Sequence, residues 1–201
     1  MATDQEASSS SSSNSNLTRR TCRYDVFLSF RGEDTRVNFT EYLCRLLVRS
    51  GLRVFKDDTG LRRGEIISQE LLQAIDESRS AIVILSKSYA SSSWCLDELE
   101  HIPASRNKLG QIVFPIFYYV DPSDVRHQRG NFGQAFTRLE DKFQRDQSKV
   151  QTWRDSLTEV AHLAGLASGQ YGCEAELVDN VVEHLRDRLR SDLPPVSEVT
   201  H

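Results

Sequence analysis

The sequence predicts a doubly wound α/β domain, and three observations point to it. Short apolar runs rich in β-branched and aromatic residues alternate with longer stretches whose apolar residues recur at helical spacing, the pattern of βαβ units and a parallel sheet. The run 81–85, AIVIL, is apolar at every position, as a central parallel strand covered on both faces should be. Polar loops rich in Gly, Asp and Ser follow the apolar runs and mark strand ends. With 201 residues and 38% hydrophobic content, the chain can build one well-buried core and is short for two.

Residues 1–20 form a polar tail dominated by the serines at 8–13. It cannot bury enough apolar surface to offset its ordering entropy, so disorder is expected there. Asp4 and Glu6 argue against reading this tail as a transit peptide, which is poor in acids. The folded domain is expected over 21–190. Its first strand is 24–30, followed by a helix over 38–48 with Phe39, Tyr42, Leu43, Leu46 and Leu47 on one stripe, stopped by Gly51. A short strand at 52–55 leads into a polar loop over 56–65. Residues 66–78 return to helical spacing through Ile67, Leu71, Leu72 and Ile75. After strand 81–85, the serines at 91–93 can cap a helix that opens at Trp94. Pro103 removes an amide donor and restricts Ile102, so that helix is expected to end or kink early. A strand over 111–120 contains Pro115, which suggests a bulge or an edge-like position. Helices follow near 132–145, 150–164 and 175–190, with a weak fifth strand near 165–168 and a flexible tail over 191–201.

Composition narrows the function. The formal net charge is -4 and charged residues of both signs are mixed, so nothing draws the chain to nucleic acid or an anionic membrane surface. The apolar runs are too short for a membrane-spanning helix. Cys22, Cys44, Cys95 and Cys173 show no Cys-x-x-Cys or Cys/His spacing, which points to free thiols in a reducing compartment, cytoplasmic or nuclear, and to no zinc site. Asp57 and Asp58 alone make weak metal ligands. Ser29 and the serines before Trp94 lack a partnered histidine, which argues against nucleophilic hydrolysis.

Ligands of open parallel sheets bind beyond the carboxyl ends of the strands. That rule selects the loops 31–35, 56–65 and 86–93. Just past the third loop, Trp94 and Glu98 lie four residues apart, on one helix face at this end of the domain. An aromatic plane beside a carboxylate suits a flat heteroaromatic ring joined to a ribose. Taken singly, each residue has a plainer reading. Glu98 would be a solvated helix residue, Trp94 a core anchor, Arg31 a partner of Glu33 or Asp34, and Gly32 a backbone requirement.

Four blocks in order resemble plant TIR domains: 24–36, YDVFLSFRGEDTR; 55–58, FKDD, with 61–65, LRRGE; 94–99, WCLDEL; and 114–126, FPIFYYVDPSDVR. The resemblance covers residues 21–190. It implies a flavodoxin-like five-stranded parallel sheet of order 2-1-3-4-5 in a single TIR domain. It also implies an activity, hydrolysis of NAD+ or NADP+ by self-associated domains to make signalling nucleotides in plant innate immunity and disease resistance. By the same resemblance Glu98 is the catalytic glutamate. Phe30, Arg31, Gly32, Asp58, Leu61, Ser93 and Trp94 are the substrate-binding residues, NAD+ is a substrate rather than a cofactor, and the partners are other TIR domains. One carboxylate suffices for that reaction, because nicotinamide leaves a cationic ring as a neutral base and needs no general acid. The alternative is a non-enzymatic adaptor working through homotypic or heterotypic TIR–TIR contacts. Glu41 and Tyr42 stand where many family members carry the Ser-His pair of a self-association surface, so contacts through that surface are expected to differ.

Overall fold

A computed structural model describes residues 22–56 and 69–191. Five parallel strands, β1 (Tyr24–Phe30), β2 (Val54–Lys56), β3 (Ser78–Leu85), β4 (Ile112–Phe117) and β5 (Leu166–Ala167), form one sheet in the order β2-β1-β3-β4-β5. Around it run α1 (Gly32–Thr35), a π turn (Arg36–Thr40), α2 (Glu41–Arg49), α3 (Gln69–Asp76), α4 (Ser93–Leu109), α5 (Pro122–Arg126), α6 (Gly130–Glu140), α7 (Gln147–Ala161) and α8 (Glu174–Ser191).

Strand pleating sorts the core into two layers. Val26, Leu28 and Phe30 of β1 pack with Ile82 and Ile84 of β3, Phe114 and Ile116 of β4, and the apolar stripes of α2 and α8. Phe27 of β1 faces the other way, with Ala81, Val83 and Leu85, toward α3, α4, α6 and α7. Ser29 shares the Phe27 side by alternation and is wholly buried. The central strands are covered on both faces, which is why 81–85 tolerates no polar residue.

Several expectations change. The helix expected over 66–78 gives way at Asp76, and Ser78 already belongs to β3. The polar start of this strand is accommodated because Ser78 Oγ donates to the Ala74 carbonyl (2.6 Å) and Ser80 Oγ to the Asp25 carbonyl (2.6 Å). Helix α4 does not end at Pro103 but continues to Leu109, where Gly110 closes it in the left-handed region (φ 69°). Pro115 causes no bulge: β4 keeps register with β3 through the pair Val83 and Pro115. Its other side is edge-like as expected, since β5 pairs only from Ile116 onward. The short α5 was not foreseen, although Asp121 accepting from the Ser123 amide (2.7 Å) ahead of Pro122 is a legible cap. Of the four free cysteines only Cys95 is buried; Cys22 and Cys44 are half-buried and Cys173 is exposed. The tail expected at 1–20, the tail expected at 191–201 apart from Ser191, which ends α8, and most of the loop at 56–65 with Ile66 and Ile67 lie outside the described residues. Among the described residues no helix is long and apolar enough to cross a membrane.

Candidate active site

In the order β2-β1-β3-β4-β5 the chain turns back between β1 and β3, and the carboxyl ends of these strands form the crevice where such sheets take ligands. Three segments meet there: the end of β1 with α1, the turn after β3, and the first turns of α4. Ser92 starts α4, its hydroxyl accepting from the Cys95 amide (3.3 Å). Glu98 falls in the second turn and is directed into the protein, only 3% exposed.

A carboxylate buried this deeply needs donors. Ser29 Oγ donates to Glu98 Oε2 at 2.7 Å. Tyr89 Oη lies 2.8 Å from Ser29 Oγ and 3.0 Å from the Cys95 carbonyl, and its one proton is shared between these two acceptors. Burial, the Cys95 sulfur and the Glu98 charge push the Tyr89 phenol well above its ordinary range. Burial and Glu98 push the Cys95 thiol up as well. Both groups therefore stay protonated beside the acid, as hydrogen-bonding dipoles rather than ions.

The loops are laced by charge. Arg31 Nη1 donates to Ser91 Oγ (2.7 Å) and the Ser88 carbonyl (3.2 Å), and Nη2 pairs with Glu33. Asp34 Oδ2 accepts from Ser86 Oγ (2.6 Å) and the Ser88 amide (3.0 Å). The end of β1 and the turn after β3 are thus tied together by Arg31 and Asp34. This favours the plainer reading of Arg31, whose terminal nitrogens are engaged by protein groups. Phe30 ends β1 within the core, its carbonyl 3.6 Å from Cys95 Sγ and its ring under the Arg36 guanidinium, 5.1 Å from the centroid. Gly32 begins α1 and is not held in a left-handed conformation. A Cβ there would meet the Arg36 side chain, 2.8 Å from Nε, and no backbone atom, which corrects the expectation that the backbone requires glycine. Ser93 is the first residue of α4. Trp94 is half-buried against the core, and its indole N–H has no partner among the described residues. Asp58 and Leu61 lie outside the described residues.

The structure thus brings Phe30, Arg31, Gly32, Ser93, Trp94 and Glu98 to one end of the sheet. Neighbours of Glu98 elsewhere on α4 turn away. His101 Nε2 meets Asp76 of α3 at 2.9 Å, and Asp97 accepts from Trp153 Nε1 (2.9 Å) and Lys149 Nζ (3.0 Å) of α7. Among the described residues no group of His, Cys, Asp and Glu is arranged to hold a metal ion. Sequence reasoning missed Ser29, Tyr89 and Asp34 as parts of the site. Ser29 carried a signal, a lone hydroxyl between Leu28 and Phe30 in a strand buried on both faces, which must find a partner.

Residues 23–199 match the model of the TIR domain family, and the chain belongs to that family. It is 53% identical over 165 residues to disease resistance protein RPV1 of Vitis rotundifolia, covering 82% of this chain and 12% of that protein. It is 44% identical over 166 residues to TMV resistance protein N of Nicotiana glutinosa, covering 83% of this chain and 14% of that one. The chain therefore spans only about an eighth of the length of the curated relatives it matches. The TIR domains of the activated Roq1 resistosome, a complex that recognises the pathogen effector XopQ, superpose with a TM-score of 0.73 at 46% identity, covering 81% of this chain and 99% of theirs.

Proposed function

We propose that this domain is an NAD+ nucleosidase of plant immune signalling, cleaving the nicotinamide–ribose bond of NAD+ or NADP+ when copies associate. The observation that carries the proposal is Glu98, a carboxylate held by Ser29 at the sheet's switch point beside Trp94. In the reaction the C1′–N bond breaks and its electron pair leaves with nicotinamide. Water adds to C1′, and the proton it loses passes to solvent. Glu98 stabilises the positive ribose and orients its hydroxyls or the attacking water. Trp94 supplies a flat wall. Phe30, Arg31, Gly32 and Ser93 line the approach, with Asp58 and Leu61 assigned by family resemblance. Association is supported by the Roq1 relative, whose TIR domains belong to an activated resistosome.

The test is nicotinamide release from NAD+ by concentrated protein, beside Glu98→Gln and Glu98→Ala. The unmutated domain should turn over faster than in proportion to its concentration. Both variants should melt as cooperatively as the parent and lose about a hundredfold or more of the rate. Equal release by all three would rule out Glu98 as the catalytic group.

The adaptor reading is favoured by one observation: Tyr42 (39% exposed) and Val48 (55%) stand out from α2 as apolar surface. Assembly seen by light scattering, with no nicotinamide released by any of the three proteins, would select it.

A further inference from the structure

We propose that Ser29, anchored by Tyr89, is a positioning residue that sets the orientation and charge state of Glu98; this rests on Glu98 being the reactive carboxylate. The hydroxyl directions follow from proton count. Ser29 has one proton and Glu98 Oε2 lies 2.7 Å away, so Ser29 donates to the carboxylate and leaves its lone pairs open to Tyr89. Tyr89 has one proton for two acceptors, Ser29 Oγ at 2.8 Å and the Cys95 carbonyl at 3.0 Å, and shares it between them. Cys95 sits three residues before Glu98 on α4. The phenol therefore ties the first turn of that helix to the same serine that holds the carboxylate.

The three side chains come from β1, the turn after β3 and α4, separated by 60 and 69 residues along the chain. All are buried, so water cannot replace a lost donor at low cost. A hydrogen bond to a carboxylate favours its ionised form. Among the described residues the titratable groups around Glu98 are Tyr89 and Cys95, with Arg31 and Asp34 acting on Cys95 from the loop after β1. Ser29 is the donor that β1 supplies to the acid, and Tyr89 lies against that serine.

The experiment uses the folded domain carrying Ser29→Ala, Tyr89→Phe or both, each checked for a cooperative melt. Two quantities are measured: NAD+ kinetics against pH, and the titration midpoint of the Glu98 carboxylate band in infrared difference spectra against Glu98→Gln. Ser29→Ala should lower kcat about tenfold to a hundredfold, the worth of one hydrogen bond to an ion, with KM little changed. The acid limb of its rate profile and the carboxylate midpoint should both move up. Tyr89→Phe should move both the same way by less, and the double variant should be no worse than Ser29→Ala. A carboxylate midpoint unmoved by Ser29→Ala overturns the proposal whatever the rates. If the unmutated domain releases no nicotinamide, the reading of Glu98 as catalyst fails. The orientation claim is then decided by the midpoint alone.

Discussion

Asp25 shows how one residue can carry a pH-dependent part of stability. It is the second residue of β1 and is buried, accepting from the Arg53 amide (2.9 Å), Nε (3.1 Å) and Nη2 (3.2 Å), with Arg79 Nη1 at 3.6 Å. Burial by itself would raise its carboxyl. The Arg53 hydrogen bonds and the charges of Arg53 and Arg79 outweigh it and hold the group below its ordinary value. A carboxyl lowered in the folded state stabilises above the unfolded value, about 3.9, and that contribution fades as pH falls through the lower folded value. Asp25→Asn should therefore be less stable than the parent at neutral pH. The gap in denaturation midpoint should close below about pH 4, and a gap constant over the whole range would refute this role. Beside Glu98, by contrast, Ser29 is a neutral donor and Tyr89 and Cys95 stay protonated.

Two prolines teach opposite lessons about elements. Pro103 forfeits the helical bond to the Leu99 carbonyl, yet α4 runs through it. Asp76 of α3 explains how: it takes His101 Nε2 at 2.9 Å on one side of the proline and Ser105 Oγ on the other, stapling both halves of the helix. Pro115 sits where a donor is not needed, because β5 has not yet begun beside it. Gly165 leads into β5 so closely that a Cβ there would lie 2.2 Å from the Pro115 carbonyl. Gly165→Ala should therefore push β5 off the sheet and lower stability by about 1–3 kcal/mol in denaturant titration. A neutral result would mean that this two-residue strand adjusts freely.

At the scale of the molecule, the site depends on α4 being pressed onto the sheet from behind. Trp153 of α7 is fully buried, its indole N–H donates to Asp97 of α4 (2.9 Å), and Lys149 joins the same carboxylate. Trp153→Ala should cost about 3–5 kcal/mol, a large part of the 5–15 kcal/mol that typically holds a domain of this kind folded (about half). Thermal unfolding would check this, and an unchanged midpoint would show that α4 is held by other contacts. The Glu98 site and domain stability are thus coupled through one helix, with Glu98 toward β1 and the anchoring face toward α7.

Much of this protein is written locally. Hydrophobic periodicity marks β1, β3, β4 and the helices from α6 to α8, because residues two or about four apart share a face whatever the rest of the chain does. The alternation of these elements specifies a parallel doubly wound sheet, and with it the end of the sheet where Trp94 and Glu98 belong. Tertiary structure alone decides what holds that site. Ser29 reaches Glu98 across 69 residues and Tyr89 across 60, Arg31 and Asp34 lace two loops together, and Asp76 carries α4 past Pro103. The physical reason is that apolar burial is nondirectional and tolerates many partners, so composition and spacing suffice to foresee it. A buried hydrogen bond instead requires one donor and one acceptor at a set distance and angle, and for residues so far apart in sequence only the folded topology supplies that geometry.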